Sequence, residues 1–398
     1  MWAKARKLAG SPYLAQLISL GGSAALTFFS ALILAPSERG LVAIFLAIIS
    51  VGSYLACFGV QSEILQCSAR GDSISARLII RGHLLPQAAF AVVAAVLLIA
   101  VKPFPDFPDA LGILSALGIF GGSLFNNLSW RQYGNGQYFL STSLRGLVPL
   151  VTLFASFMLY LFSSLSAIAV ASIYIALQFI CCIFVVDFSK FAHGGVTVRE
   201  MLRVYNQSLS FFFSQAQSLV LSRTPVIASG IWLPPAITAA ISIALSLAEL
   251  QSSLPQMRSA ISFKEASSAR RPRLTNKQLL SAIKALWPGT VLVIIISFIA
   301  RELLSEAYRD LPLLVGLLSL GVAVQALAAS AINVLTARRS LGVAIGIQLF
   351  VICAAFASLA NFSEGRISLG LGLWSAGVAL GCLGVIALAM KHKRGRHL

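Results

Sequence analysis

Apolar stretches of about twenty residues, the length needed to cross a hydrocarbon core, recur along almost the whole chain. They predict helices near 13–35, 40–65, 83–101, 110–130, 145–163, 167–187, 206–228, 236–257, 281–301, 312–336, 340–360 and 367–390. The pattern therefore predicts an all-α integral membrane protein of about twelve transmembrane helices. Polar positions punctuate it in two ways: short gaps rich in Lys and Arg, and narrow stripes along a few of the helices.

The gaps set the orientation. Of the 30 Lys and Arg residues, 24 fall at the N-terminus, in alternate gaps, or at the C-terminus, so one side of the membrane collects the basic charge. By the positive-inside rule that side is cytoplasmic, and both termini lie there. The 13–35 run is longer than a signal-peptide core and has no small-residue cleavage site, so it is expected to stay as a spanning helix. The far-side gaps are short, the longest being the roughly ten residues around 301–311, which leaves no room there for a folded domain.

The chain also looks like two halves. A helix meets a proline turn at Leu34-Ala35-Pro36-Ser37-Glu38-Arg39-Gly40, and another at Trp232-Leu233-Pro234-Pro235-Ala236. Six crossings in 1–195 and six in 196–398 make two six-helix lobes of the same orientation, a parallel repeat whose interface is the expected place for a substrate.

A polar side chain inside hydrocarbon is costly unless it faces protein or a watery cavity, so its angular position is informative. On the 13–35 helix Gln16, Ser19, Ser23, Thr27 and Ser30 fall within roughly 80° at ~100° per residue. The 236–257 helix repeats this with Thr238, Ser242, Ser246, Glu249, Ser253 and Gln256. Either set lines a wet cavity, or its hydroxyls bond to their own backbone and glue helices together. The 206–228 helix carries Arg223 just before Pro225, which removes a hydrogen bond and is expected to kink the helix there. On an ideal wheel Arg223 points away from the polar face of its helix, so it is open to two readings, a cavity cation or a snorkelling side chain. Glu249, centred in its stripe, marks an ion, proton or substrate path, or else a structural partner. Small-residue spacings at Gly118/Gly122, Gly342/Gly346 and Gly377/Gly381 permit close helix approach.

Composition sharpens the class. Hydrophobic residues are 58% and charged residues 11% of the 398 positions, far from the balance of a soluble domain. The net charge of +17 is dispersed between apolar runs and forms no basic domain, which argues against nucleic acid. The six cysteines lack metal or redox spacing, and no cofactor is implied. No phosphate-binding loop, zinc-protease helix or nucleophile elbow occurs, so a carrier rather than an enzyme is expected.

The proline turn after the first helix, Phe58-Gly59-Val60-Gln61-Ser62, and Gly134-Asn135-Gly136-Gln137-Tyr138-Phe139 followed by Arg145 together resemble the Wzx-type lipid-linked oligosaccharide flippases of the MOP (multidrug/oligosaccharidyl-lipid/polysaccharide) superfamily. The resemblance implies two six-helix lobes around a central cationic cavity lined by the first, second, seventh and eighth helices. It implies transport of undecaprenyl-diphosphate-linked O-antigen or exopolysaccharide repeat units from the cytoplasmic to the periplasmic leaflet of a bacterial inner membrane, by alternating access. On that reading Arg223 and Arg145 meet the diphosphate or acidic sugars, Gln16, Ser23, Thr27 and Ser246 line the cavity, and Glu249 takes a coupling H⁺ or Na⁺. Partners would be the lipid-linked glycan, the bilayer, and a polysaccharide polymerase with chain-length machinery. Glu249 departs from a purely cationic cavity, and twelve helices depart from the fourteen of lipid II flippases. A MATE-like drug/cation antiporter is the alternative within the class, although the first helix has no carboxylate. A membrane glycosyltransferase or polymerase is the alternative outside it, and it would need a large outer loop.

Overall fold

Proline and capping residues begin most of the helices in the computed structural model, which describes residues 12–162, 165–185, 196–252, 276–337 and 366–391, with isolated positions 346 and 353. Helix α1 runs Pro12–Ile33 and α2 Pro36–Leu55, the latter starting on a proline whose fixed φ suits the first turn. After α3 (Gln61–Ala69), Asp72 caps α4 (Ser73–Ala100) by accepting the Ser75 N–H at 3.0 Å. These bonds from Ser75 hold the Asp72 carboxyl below its ordinary range. Helices α5 (Asp109–Gly134), α6 (Tyr138–Phe162) and α7 (Ala167–Val185) follow. The first N–H of α7 donates to Glu38 Oε2, so the acid of the proline turn caps a different helix.

Helix α8 (Val198–Trp232) opens with a reciprocal capping box: Thr197 N–H donates to Glu200 Oε2 at 2.8 Å and Glu200 N–H to Thr197 Oγ1 at 3.3 Å. Then come α9 (Pro235–Leu250), α10 (Asn276–Leu303), a 3₁₀ turn at Glu306–Tyr308, α11 (Leu311–Ala337) and α12 (Ile367–Lys391). No strand occurs among the described residues. Eight of these helical stretches are long and apolar enough to span a membrane, and Gly21–Ile33, Leu219–Trp232 and Pro235–Leu250 are shorter apolar helices. The outward faces are apolar: Phe162 is 86% and Phe184 82% exposed, and Val92, Leu97, Phe154, Leu292 and Phe298 are exposed as well. Such continuous apolar surface is stable in lipid and not in water. This is a multi-pass membrane protein.

The predicted 340–360 helix lies outside the described residues, as do both chain ends and positions 253–257 of the predicted 236–257 helix. Within the described part, the predicted 40–65 helix is broken: residues 56–60 form turns between α2 and α3. Hydropathy could not show this, because the break costs no apolar residue. The 206–228 helix is longer at both ends and runs through Pro225 without interruption.

By packing, the chain forms two units, Met1–Ala216 with Pro234–Ala239, and Gln217–Leu233 with Ala240–Leu398. In the first, α5 is the hub and packs against α2, α3, α4, α6 and α7. Its small residues allow this: Gly118 faces Ile49, Gly121 faces the Phe179 ring, and Gly122 faces Ser53 and Gln178. Helix α1 packs along α6, where Gly22 meets the Gly146 backbone and Gly146 that of Ile18. The two proline turns also meet within this unit, with Gly40 against the Pro235 backbone. In the second unit α11 packs against α10 and, more extensively, α12. Gly377, by contrast, faces open space.

Candidate functional site

The polar stripe of α1 divides into two stretches. Thr27 and Ser30, toward the proline turn, are buried; the Ser30 hydroxyl donates to the Thr27 carbonyl, which also accepts from the Nε of fully buried Arg39 at 3.1 Å. Ser23, further from the turn, is exposed and donates to the Ser19 carbonyl at 3.2 Å. Gln16 lies in α1, with its side chain outside the described set. Helix α9 repeats the gradient: Thr238 and Ser242 are buried, while Ser246 and Glu249 are partly exposed. On both helices, then, the stripe residues next to the proline turn are buried and those further along are partly or fully exposed.

Arg145 is accessible as well. It precedes Gly146, whose missing Cβ lets α6 close on α1. Tyr54, Cys57 and Tyr133 lie within electrostatic reach of it. Among the described residues no carboxylate pairs with it. A guanidinium offers a planar set of donors that suits an oxyanion.

The α2–α3 break adds a feature that hydropathy did not reveal. Phe58 and Gly59 have φ of 47° and 75°. Phe58 stacks on Phe212 and meets His83, Phe90 and Tyr205 edge-on, with ring centroids 5.9–6.1 Å away. Buried His83 places Nε2 2.9 Å from the Ala56 carbonyl, so Nε2 carries the proton and donates; in the neutral ring Nδ1 accepts from the Tyr205 hydroxyl at 2.7 Å. One histidine thus satisfies a carbonyl freed by the helix break and ties α4 to α8. The clue in the sequence was a histidine within an apolar helix, facing an aromatic-glycine pair.

In the second unit Arg223 Nη1 lies 3.2 Å from Glu249 Oε1, with the two side chains 27% and 23% exposed. The helical wheel had turned Arg223 away from its own helix's polar face, and the structure turns it toward α9. The next polar residues are fixed by packing: Gln251 Nε2 donates to the Ser319 carbonyl at 2.8 Å, and Gln251 Oε1 accepts from Thr290 at 3.0 Å. Ser253 and Gln256 lie outside the described residues.

No protein-family model matches the chain, and no curated protein does. Solved structures match over nearly its whole length. An inward-facing multidrug resistance MATE family transporter of the MOP superfamily shares 12% identity over 94% of this chain and 93% of its own, with a TM-score of 0.61. The lipid II flippase MurJ, in an inward closed conformation, shares 11% identity over 94% of this chain and 85% of its own, with a TM-score of 0.71. A eukaryotic MATE transporter gives 14%, 96%, 92% and 0.58. The chain has the fold of these MOP-superfamily transporters. At such identities the likeness concerns the fold, and residue roles must come from the chain itself.

The burial gradients make a direct prediction. In a background with the native cysteines replaced, Ser23→Cys and Ser246→Cys should react with small aqueous thiol reagents, whereas Leu26→Cys and Leu247→Cys, 2% and 4% exposed, should not. Equal labelling of both sets would show that the stripes do not border water.

Proposed function

We propose that the chain is a flippase that moves an undecaprenyl-diphosphate-linked oligosaccharide from the cytoplasmic to the periplasmic leaflet of a bacterial inner membrane, supplying O-antigen or exopolysaccharide synthesis. The observation that carries this is the state of the charges. Arg145 is accessible and has no described carboxylate partner, while Glu249, the acid within α9, is engaged by Arg223. An accessible cation suits a diphosphate, which guanidinium binds through paired hydrogen bonds.

The same observation weighs against the MATE-like antiporter, because an organic cation needs a free carboxylate. In the first unit Glu38 is spent on capping α7, and Asp72 and Glu200 on their own helix starts, while half-buried Glu63 on α3 lies near Arg70. Translocation asks for a cavity and two conformations, with no covalent step. On this reading both termini are cytoplasmic and two lobes, 1–195 and 196–398, carry the alternation. Ser23, Ser246 and Gln16 would line the route for the glycan, and Thr27 would support it from within the wall. A polysaccharide polymerase and chain-length machinery would act on the product.

Deleting the gene should deplete surface glycan and cause lipid-linked repeat units to accumulate on the cytoplasmic side. A normal glycan profile without accumulation, in a strain lacking a second flippase, would refute the proposal.

A further inference from the structure

The first half of α8 carries three kinds of residue on three sectors of one helix. At ~100° per residue, Met201, Tyr205, Ser208 and Phe212 fall within roughly 60° of one another, and all four are packed. Met201 lies against Gly82 of α4, the Tyr205 hydroxyl bonds His83, Ser62 donates to the Ser208 hydroxyl at 3.4 Å, and Phe212 stacks on Phe58. The next sector, again roughly 60° wide, holds Val198, Leu202, Leu209 and Phe213, which are exposed, from 77% at Val198 down to 41% at Phe213. Beyond it lie Arg199, Arg203, Asn206 and Gln207, exposed as well. The apolar part of α8 begins only at Leu219.

An exposed apolar sector is stable against acyl chains, and an exposed polar sector against water or a polar ligand. The packed sector carries α8 beside α4, a helix long and apolar enough to span, from Gly82 to the rings of Phe58 and Phe90. The border between the two exposed sectors therefore follows a spanning helix inward. It runs from Val198 to Phe213, about 22 Å at 1.5 Å per residue. Arg199 and Arg203 meet no carboxylate among the described residues. Cations in the first turns oppose the helix dipole, so neither arginine serves the stability of α8 itself. Topology asks for basic residues on this side of the membrane, but at no particular angle of the helix.

We infer that the first half of α8 is a docking rail for an amphiphile with one isoprenoid chain and a diphosphate head, the chain lying along Val198, Leu202, Leu209 and Phe213 and the head held beside it by Arg199 and Arg203. The inference rests on the proposal that the cargo is lipid-linked, and it adds the surface on which such a lipid first docks. A stripe one side chain wide matches a single chain, whereas a phospholipid presents two. Two guanidinium groups one turn apart offer paired donors to the two phosphoryl groups of a diphosphate. Head and chain meet adjoining sectors of the same helix, so docking leaves no polar group in hydrocarbon and no apolar group in water. Because the exposure of the stripe falls toward Phe213, the chain is held more closely the further it reaches along α8.

The test uses the full chain in phosphatidylcholine nanodiscs, with Arg145→Gln so that the other candidate cation does not contribute. The probes are geranylgeranyl diphosphate, geranylgeraniol for the chain alone, and inorganic pyrophosphate for the head alone. Geranylgeranyl diphosphate should bind about tenfold more tightly than either part. Arg199→Gln with Arg203→Gln should reduce its affinity to that of geranylgeraniol, and Leu202→Ser with Leu209→Ser to that of pyrophosphate. All four positions are exposed, so both double variants should melt near the parent. Arg199→Lys with Arg203→Lys, which keeps the charge and loses the planar fork, should bind in between. Excess phosphatidylglycerol should not displace the probe; displacement would overturn the rail by making the stripe an ordinary lipid-facing surface. Equal affinity of the parent and both double variants, or no binding of geranylgeranyl diphosphate, would overturn it too. Loss of the rail alongside a depleted glycan profile in the deletion strain would leave the flippase reading standing, whereas a normal profile with binding intact would remove that reading and leave a rail for an isoprenoid diphosphate.

Discussion

Arg145→Gln should abolish complementation of a deletion strain while the protein accumulates to near the parental level. Arg145 is accessible and has no described ionic partner, so removing its charge strands no buried carboxylate and frees no cavity. What it removes is the proposed anion site. Charge-assisted hydrogen bonds are worth roughly 1.5–3 kcal/mol each, so losing a bidentate contact to a diphosphate should reduce transport by several orders of magnitude. Arg145→Lys should retain partial activity, because an ammonium keeps the charge but loses the planar fork. The measurements are protein abundance and surface glycan for both variants. Full activity in a well-expressed Arg145→Gln would remove Arg145 from the route and with it the main support for an anionic cargo.

Gly59→Ala should be the opposite case, with abundance lost before transport can be assayed. Gly59 has φ of 75°, and a Cβ there would stand 2.6 Å from the Ser208 carbonyl oxygen and 2.8 Å from the Phe212 Cβ. The left-handed backbone costs an L residue about 1–2 kcal/mol, and forcing α8 away from the break adds roughly 1–3 kcal/mol of overpacking. Against a typical net stability of about 5–15 kcal/mol, the sum is a large share. Gly136 provides the control, since its φ is 79° but nothing lies within 4 Å of its Cβ direction. Gly136→Ala therefore incurs only the backbone part. A fluorescence-detected melting curve of each variant in detergent should show Gly59→Ala well below Gly136→Ala. Equal melting temperatures would mean that the contact with α8 does not hold the break closed.

The same glycine shows where sequence reading stops. Phe58-Gly59 was recognisable as a motif, but its role as a helix break was not, because a turn inside an apolar run leaves hydropathy unchanged. Similarly, the stripes on α1 and α9 could be read at a spacing of three and four residues, whereas their division into buried and accessible stretches could not. That division depends on Arg39 reaching back to the Thr27 carbonyl and on the packing around each helix, neither of which is encoded in helical period.

Arg223 marks the limit most clearly. The wheel located it correctly on its own helix and still gave no partner, since an ion pair is a distance between two helices rather than a position on one. His83 was unremarked for the same reason: its two hydrogen bonds join residues 27 and 122 positions away. The sequence by itself determined the solvent in which this chain folds and the proline turns that start α2 and α9, because these follow from local hydrophobicity and backbone preference. Only the tertiary structure decided which charges are paired and which are left accessible, because Coulomb energy and hydrogen bonding act across space within the folded unit.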